Sequence, residues 1–148
     1  MTDALDRLLD SGVVAVLRGI DPEKMIETVA ALRAAGVTAI EITADAPDAS
    51  RTLSRVVDAT DDDALVGAGT VMDAATASRV IEAGAEFVVS PHFDPAVVET
   101  ATRRGVVVGP GIMTPTEAAD AMAAGADLLK VFPASTVGPG HISAIQGP

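Results

Sequence analysis

The 148-residue chain contains no cysteine and only two histidines, and each scarcity excludes a kind of chemistry. Without cysteine there can be neither a disulfide nor a thiolate nucleophile. The two histidines, His92 and His141, lie far apart in sequence and do not match the ligand spacing of a zinc site. We therefore expect no metal in this protein.

Cationic side chains are also scarce, because fourteen aspartates and seven glutamates stand against ten lysines and arginines, for a formal net charge of -11. Phosphate backbones need cationic partners, so this balance argues against a nucleic-acid partner. High salt screens the self-repulsion of an acidic, lysine-poor surface. We therefore predict a halophilic origin, in which thermal stability rises between low and molar salt.

The sequence has no apolar stretch of membrane-spanning length, and its first residues lack the basic and apolar regions of a secretory signal. Hydrophobic residues make up 49% of the chain, which is enough for a sizeable core. We expect one soluble, cytoplasmic domain over residues 1–148, without a membrane partner.

The most informative feature that is present is Lys130, one of only two lysines, in the apolar run 126–133. Removal from water lowers the pKa of a lysine and keeps part of the amine neutral and nucleophilic, as a Schiff-base enzyme requires. The alternative is a lysine whose stem packs on a sheet while its ammonium group reaches solvent. This segment alone leaves both interpretations open.

A repeated unit runs along the chain: an alanine-rich helical stretch, a glycine, and a short β-branched run. The glycines occupy the place of left-handed helix C-caps. Helix starts are predicted where a capping side chain precedes a first-turn proline, at Asp21-Pro22, Asp94-Pro95 and Thr114-Pro115, the last with a capping-box glutamate at position 117. Six strands are predicted, at residues 13–17, 37–42, 64–66, 85–89, 106–108 and 126–131.

Strands that alternate with helices predict an α/β fold with parallel pairing, either a (β/α) barrel or a doubly wound sheet. The segment Gly67-Ala68-Gly69-Thr70 lacks the third glycine and the lysine of nucleotide-binding loops, so we prefer the barrel and expect no cofactor. Functional groups of such barrels lie at the C-terminal ends of the strands. The distinctive residues of this chain are predicted there: Arg18, Glu41, Thr43, Thr70, Pro91, Lys130 and Phe132.

Six sequence blocks, in a fixed order, carry a resemblance to a known family. They are VLRG, IEIT, VGAGTV, VSP, GPGIMTPTE and KVFPA, at residues 16–19, 40–43, 66–71, 89–91, 109–117 and 130–134. With these blocks the chain resembles the class I 2-keto-3-deoxy-6-phosphogluconate (KDPG) and 4-hydroxy-2-oxoglutarate (KHG) aldolases over nearly its whole length. The resemblance implies a (β/α)8 barrel of the TIM type. About six of its eight βα units are present, so we expect a C-terminally incomplete barrel.

The resemblance implies a lyase of Entner-Doudoroff-type sugar acid catabolism that cleaves KDPG to pyruvate and glyceraldehyde 3-phosphate. Lys130 would form the Schiff base, and Glu41 would be the general acid and base, acting through a water. Burial should raise the pKa of Glu41 and a protonated Lys130 should lower it, and the sequence does not rank the two effects. The alternative for Glu41 is a salt bridge at the barrel rim.

The resemblance also assigns the substrate-binding residues. Arg18 and Thr70 match positions around the pyruvate carboxylate, although Arg18 could form a structural ion pair and Thr70 could cap the next helix. Thr43 is expected to orient Glu41 or the substrate. Pro91 and Phe132 match apolar walls around the pyruvyl methylene, or are ordinary packing residues.

Asp45 departs from the family pattern, because many relatives carry an arginine there. Without that cation the substrate could be a related keto-deoxy sugar acid, a phosphogalactonate or 4-hydroxy-2-oxoglutarate, unless Arg51 or a neighbouring subunit supplies the charge. A non-catalytic, truncated relative that binds small anions and another phosphate-binding barrel enzyme stay open as alternatives. The partners implied are a keto-deoxy phosphosugar acid, pyruvate and further copies of the chain in a homotrimer.

Overall fold

The computed structural model describes residues 3–60 and 64–146, which form seven strands and seven helices that alternate except for two consecutive strands after the fifth helix. The strands are β1 (Val14–Leu17), β2 (Ala39–Thr43), β3 (Leu65–Gly69), β4 (Phe87–Val89), β5 (Val107–Gly109), β6 (Gly111–Ile112) and β7 (Lys130–Val131). The helices are α1 (Asp3–Ser11), α2 (Pro22–Ala34), α3 (Ala49–Asp58), α4 (Ala74–Glu82), α5 (Pro95–Arg103), α6 (Pro115–Ala123) and α7 (Ala134–Ile145).

The strands pair in parallel, in the order β1-β2-β3-β4-β5, and β6 pairs in parallel with β7. Only Pro110 separates β5 from β6, and a proline has no N–H to donate to a strand ladder. If β5 and β6 are counted as one interrupted strand, the described residues form six βα units. The predicted barrel-type α/β fold is confirmed, with a strand break at Pro110 that the β-branched pattern did not reveal.

The last predicted strand, residues 126–131, is shorter in the structure, where only Lys130 and Val131 form β7. The cause is Asp127, whose carboxylate accepts the backbone N–H of Val108 at 2.9 Å. A side chain that binds a strand N–H takes the place of a backbone partner and displaces regular pairing. Residues 126–129 are therefore not part of a regular strand, and strand pairing of this segment begins at Lys130.

The three predicted helix starts are confirmed. Asp21 and Asp94 accept backbone N–H groups two residues ahead, and each is followed by the first-turn proline. Thr114 and Glu117 form a reciprocal capping box at the start of α6. Gly36, two residues after the end of α2, has a φ of +90°. This is the left-handed conformation that the sequence predicts for a glycine after a helix.

The two faces of the sheet bury different residues. The outward face packs against the helices in one apolar cluster that includes Ile40, Ile42, Val66, Ala68 and Val88. On the inward face, helix α1 covers the N-terminal ends of the strands, where Leu5 and Leu8 join a cluster with the first residue of each of four strands, Ala39, Leu65, Phe87 and Val107. Within the described residues, no helix is both long and apolar enough to cross a bilayer.

Candidate active site

Lys130 and Glu41 come together on the inward face although 89 residues separate them in sequence. Lys130 begins β7 and Glu41 lies at the middle of β2, and Lys130 Nζ is 3.8 Å from Glu41 Oε2. The carboxylate is almost enclosed, with 5% of the Glu41 side chain exposed, while 30% of the Lys130 side chain is exposed. A 3.8 Å separation is an ion pair but is too long for a direct hydrogen bond.

The structure ranks the two effects on Glu41. Burial raises the pKa of Glu41 above its ordinary value of 4.5, and the positive charges of Lys130 and then Arg18 oppose this rise without cancelling it. A carboxyl group with a raised pKa can both take up and return a proton closer to neutral pH, which is what a general acid and base requires.

Two glycines of β3 make the room that this arrangement needs. A Cβ on Gly69 would lie 1.6 Å from Glu41 Oε1, so the carboxylate occupies the space of the missing side chain. A Cβ on Gly67 would lie 2.4 Å from the ring of Phe87. In the sequence these glycines belong to a partial nucleotide-loop pattern and to the VGAGTV block of the family resemblance, and neither pattern predicts their role in making room for Glu41. Their spacing of two residues in a strand, which puts both on one face, was the available signal.

Lys130 has features of both interpretations of its sequence, the amine removed from water and the lysine whose ammonium group reaches solvent. Its stem enters the barrel interior, and its ammonium group lies 5.4 Å from the centre of the Phe132 ring, within range of a cation–π contact. Its backbone N–H donates to the carbonyl of Pro110 at 3.0 Å. Pro110, the residue that separates β5 from β6, therefore helps to fix the backbone of Lys130. Phe132 is 44% exposed and Pro91, which follows β4 and Ser90, is half-buried.

Arg18 links the ends of three neighbouring strands. It follows β1 and donates from Nη1 to Asp45, which lies after β2, and from Nη2 to the hydroxyl of Thr70, which follows β3, at 2.7 Å. The ion-pair alternative for Arg18 is therefore present in the structure, with Asp45 as the partner. Thr70 does not cap α4, because Asp73 is the N-cap of that helix. Thr70 has a φ of +56°, a strained conformation for a β-branched residue and one that is concentrated at functional sites.

Thr43 is buried on the same face of β2 as Glu41, two residues further along. Its hydroxyl lies 3.4 Å from the carbonyl of Leu17. The same hydroxyl is the main cause that lowers the pKa of Asp45, and Arg18 adds to the effect. Thr43 thus lies beside the Arg18–Asp45 pair, and its expected role in orienting Glu41 or the substrate stays a prediction.

Arg51 does not take the place of the family arginine. It lines a groove between α2 and α3 with Asp21, Asp48 and Arg55, on the outer side of the sheet. A separate, mostly apolar cavity of about 240 Å³ lies between the ends of β1 and β2 and the starts of α2 and α3, and it meets the candidate site at Thr43. Across residues 3–60 and 64–146, no three histidine or acidic side chains are grouped so that they could hold a metal ion.

Several curated proteins are similar to this chain over most of its length. Among curated relatives, a probable 2-dehydro-3-deoxy-6-phosphogalactonate aldolase of Rhizobium meliloti is 44% identical, over 93% of this chain and 65% of its own length. The 2-dehydro-3-deoxy-6-phosphogalactonate aldolase of Escherichia coli is 38% identical, over 90% and 65%. The KHG/KDPG aldolase of Escherichia coli is 34% identical, over 99% and 69%. The chain thus spans about two thirds of the length of these relatives.

A solved structure agrees with this chain in fold. A KDPG aldolase of Legionella pneumophila, with pyruvate captured as a covalent carbinolamine, superposes with a TM-score of 0.90 at 27% identity, over 99% of this chain and 71% of that one. The family model described as KDPG and KHG aldolase matches residues 5–148, nearly the whole sequence. The chain belongs to the KDPG and KHG aldolase family.

Proposed function

We propose that this chain carries the Schiff-base centre of a class I aldolase, which splits a 2-keto-3-deoxy-6-phospho sugar acid into pyruvate and glyceraldehyde 3-phosphate. The observation that carries the proposal is the approach of Lys130 Nζ to within 3.8 Å of the buried carboxylate of Glu41. An amine nucleophile beside a carboxyl group of raised pKa supplies the two functions that this reaction needs. Membership in an aldolase family supports the same assignment.

Lys130 in its neutral form would attack the C2 carbonyl, and the carbinolamine would take up one proton from the solvent at its hydroxyl and lose water to give an iminium. Glu41, acting through a water, would take the proton of the C4 hydroxyl as the C3–C4 bond breaks. The electron pair of that bond moves into a C2–C3 double bond, and glyceraldehyde 3-phosphate leaves as the aldehyde. Protonation of the enamine at C3 and addition of water at C2 then release pyruvate and restore the free amine.

The residues around the pair would bind the substrate. Arg18 and Thr70 present a guanidinium and a hydroxyl that suit a planar carboxylate. Thr43 would act through the Arg18–Asp45 pair, which its hydroxyl adjoins. Pro91 and Phe132 would form apolar walls around the pyruvyl methylene.

The identities of the relatives favour one sugar acid as the first candidate. The two phosphogalactonate aldolases described above are 44% and 38% identical, whereas the phosphogluconate aldolases of Treponema pallidum and Dickeya dadantii are 35% and 33% identical. The two acids differ in configuration at C4, the carbon whose hydroxyl loses a proton to the base. We infer that the galactonate form is the first candidate substrate. KDPG, which the sequence resemblance implies, is the second.

Borohydride trapping with pyruvate tests the centre, because the reductant fixes a Schiff base as a stable secondary amine. The chain offers a matched control, since Lys24 on α2 is its only other lysine. We expect one adduct per chain by intact mass, placed on Lys130 by peptide mapping. Lys24→Met should trap pyruvate as the wild type does, and Lys130→Met should trap none.

The result that contradicts the proposal is a folded wild-type chain without an adduct, or an adduct that persists in Lys130→Met. Either outcome would favour the alternative of a non-catalytic, small-anion-binding relative. If trapping succeeds, release of pyruvate from the two phosphorylated sugar acids separates the candidate substrates. We expect faster release from the galactonate form, and faster release from KDPG would reverse the order of the candidates.

A further inference from the structure

The guanidinium of Arg18 already has a carboxylate partner from this chain. Nη1 donates to Asp45 Oδ2 and Nη2 donates to Thr70 Oγ1. The side chains of Arg18 and Asp45 are 55% and 43% exposed, so the pair lies at the open mouth of the barrel. A soluble anion can therefore reach the same guanidinium.

The pair also lies within electrostatic reach of the reacting groups. Burial raises the pKa of Glu41, the carboxyl group that faces Lys130, and the charge of Arg18 offsets a small part of that rise. The three strand ends that carry Arg18, Asp45 and Thr70 belong to the neighbouring strands β1, β2 and β3. A small acid held by Arg18 would consequently lie beside the Lys130–Glu41 pair.

Asp45 has the chemistry of the ligand that Arg18 is expected to bind. A guanidinium presents a planar fork of N–H donors that matches one carboxylate. The hydroxyl of Thr43 and the charge of Arg18 lower the pKa of Asp45, so Asp45 is an anion at neutral pH. In the structure this internal carboxylate occupies one arm of the fork.

We propose that Asp45 is an internal competitor for Arg18, and that it thereby sets the affinity of the site for the carboxylate of a small 2-keto acid. The inference rests on the proposed function for the identity of the ligand. An incoming carboxylate has to displace Asp45 before it can bind both arms of the fork. Because ion pairs between exposed side chains are weak, Asp45 lowers the affinity without blocking the site.

The test compares Asp45→Asn with Asp48→Asn. Asp48 is the N-cap residue of α3, three positions along the same loop, and its side chain makes no capping hydrogen bond. Asparagine is as good an N-cap as aspartate, so Asp48→Asn removes one negative charge with little change to the helix. The difference between the two variants thus isolates the contact with Arg18 from the general loss of charge.

The measurement is the pyruvate concentration that gives half-maximal trapping at Lys130. We expect about two- to five-fold tighter binding in Asp45→Asn than in Asp48→Asn, the size of an exposed ion pair, with the rate at saturation unchanged. In an Arg18→Met background the advantage of Asp45→Asn should vanish. Weaker binding in Asp45→Asn would mean that Asp45 positions Arg18, and equal binding in both variants would mean that the pair does not matter. Either result overturns the proposal.

Lactate separates this inference from the proposed function, because it has the carboxylate of pyruvate but no carbonyl with which to form a Schiff base. Its binding can be followed by NMR titration of the backbone amides near Arg18. Tighter lactate binding in Asp45→Asn, without pyruvate trapping in any variant, would refute the aldolase centre and keep the competitor. Normal trapping, with no gain for either acid in Asp45→Asn, would refute the competitor alone.

Discussion

The two ends of the barrel interior share strands β2 and β3 and differ completely in character. At the N-terminal end, the first residues of four strands join Leu5 and Leu8 of α1 in a dry apolar cluster. At the C-terminal end, the same inward face carries Glu41, Gly69 and Lys130, with one charged group almost enclosed. The fold thus places its apolar packing at one end and its chemistry at the other, as parallel barrels do.

Strand β3 runs from the apolar end of the barrel interior to the polar end. Its inward residues, in order, are Leu65, Gly67 and Gly69. Leu65 belongs to the apolar cluster, Gly67 makes room for the ring of Phe87, and Gly69 makes room for the carboxylate of Glu41. A buried carboxylate costs free energy that a methyl group would not, so the polar end depends on the apolar end for stability.

The largest expected effect comes from deletion of the ring at the apolar end. Phe87 is 1% exposed, and Phe87→Ala should lower the free energy of unfolding by about 3–5 kcal/mol, through lost burial and the cavity left behind. Urea denaturation measures this loss. Phe132→Ala, at the polar end, is the matched control, because its ring is 44% exposed and should contribute far less.

The same pair of variants should show the opposite order in binding. Phe132→Ala should raise the pyruvate concentration for half-maximal trapping, whereas Phe87→Ala should leave it unchanged wherever the protein is folded. Equal losses of stability in the two variants would show that the two ends do not differ in the way described.

An intermediate effect is expected from the two glycines of β3. Gly69→Ala would place a methyl group on the Glu41 carboxylate and displace it from Lys130. A displacement of about 1 Å in a reacting group can cost about 100-fold in rate. We expect a loss of this size in the exchange of pyruvate methyl protons for deuterium, which NMR follows and which requires both the Schiff base and its base.

Gly67→Ala is the control for that experiment, and it should act through stability. The new methyl group would press on the enclosed ring of Phe87, and overpacking of this kind costs about 1–3 kcal/mol. Gly69→Ala should cost less stability, because the end of a glutamate side chain can move. If the exchange rate per folded molecule fell equally in both variants, the separation of the two ends would be refuted.

Much of the fold and the central pair of the site could be predicted from the sequence, because both leave local or family-wide patterns. Capping residues marked the starts of three helices, and Lys130 was conspicuous as a charge in an apolar strand. Helix α1 was not predicted, because no capping signal of the kind used for the other helices marked its start. The break at Pro110 was missed because strands were assigned from β-branched runs alone.

The contacts that the sequence could not supply join a side chain to a group that is distant in sequence. Arg18 meets Asp45 across 27 residues, and Asp127 replaces a backbone partner of Val108 across 19. Neither contact leaves a periodic pattern or a fixed spacing in the sequence, because each depends on which strand ends the fold brings together. The halophilic origin and the homotrimer stay predictions, which stability measured against salt and native mass spectrometry can test.

The smallest expected effect is a pH dependence of the free energy of unfolding that is caused by the burial of Glu41. Because burial raises its pKa, the folded protein holds this proton more tightly than the unfolded chain does. The wild type therefore loses stability as pH rises from the ordinary value of 4.5 through the raised pKa, by about 1.4 kcal/mol for each pH unit between the two values. Glu41→Gln lacks this loss, so its unfolding free energy relative to the wild type should increase with pH above 4.5.

Glu117 on the exposed rim provides the opposite case. The backbone N–H of Met113 foremost, with the Thr114 hydroxyl, lowers the pKa of Glu117, so its contribution is present above 4.5 and is lost as pH falls through the lowered pKa. Glu117→Gln should therefore lose stability relative to the wild type as pH rises toward 4.5, and Glu41→Gln should gain above it. Urea titrations of the three proteins from acidic to neutral pH measure both slopes. Slopes of the same sign would mean that Glu41 is held by its charge partners, as a rim glutamate is, and that enclosure does not dominate at the polar end.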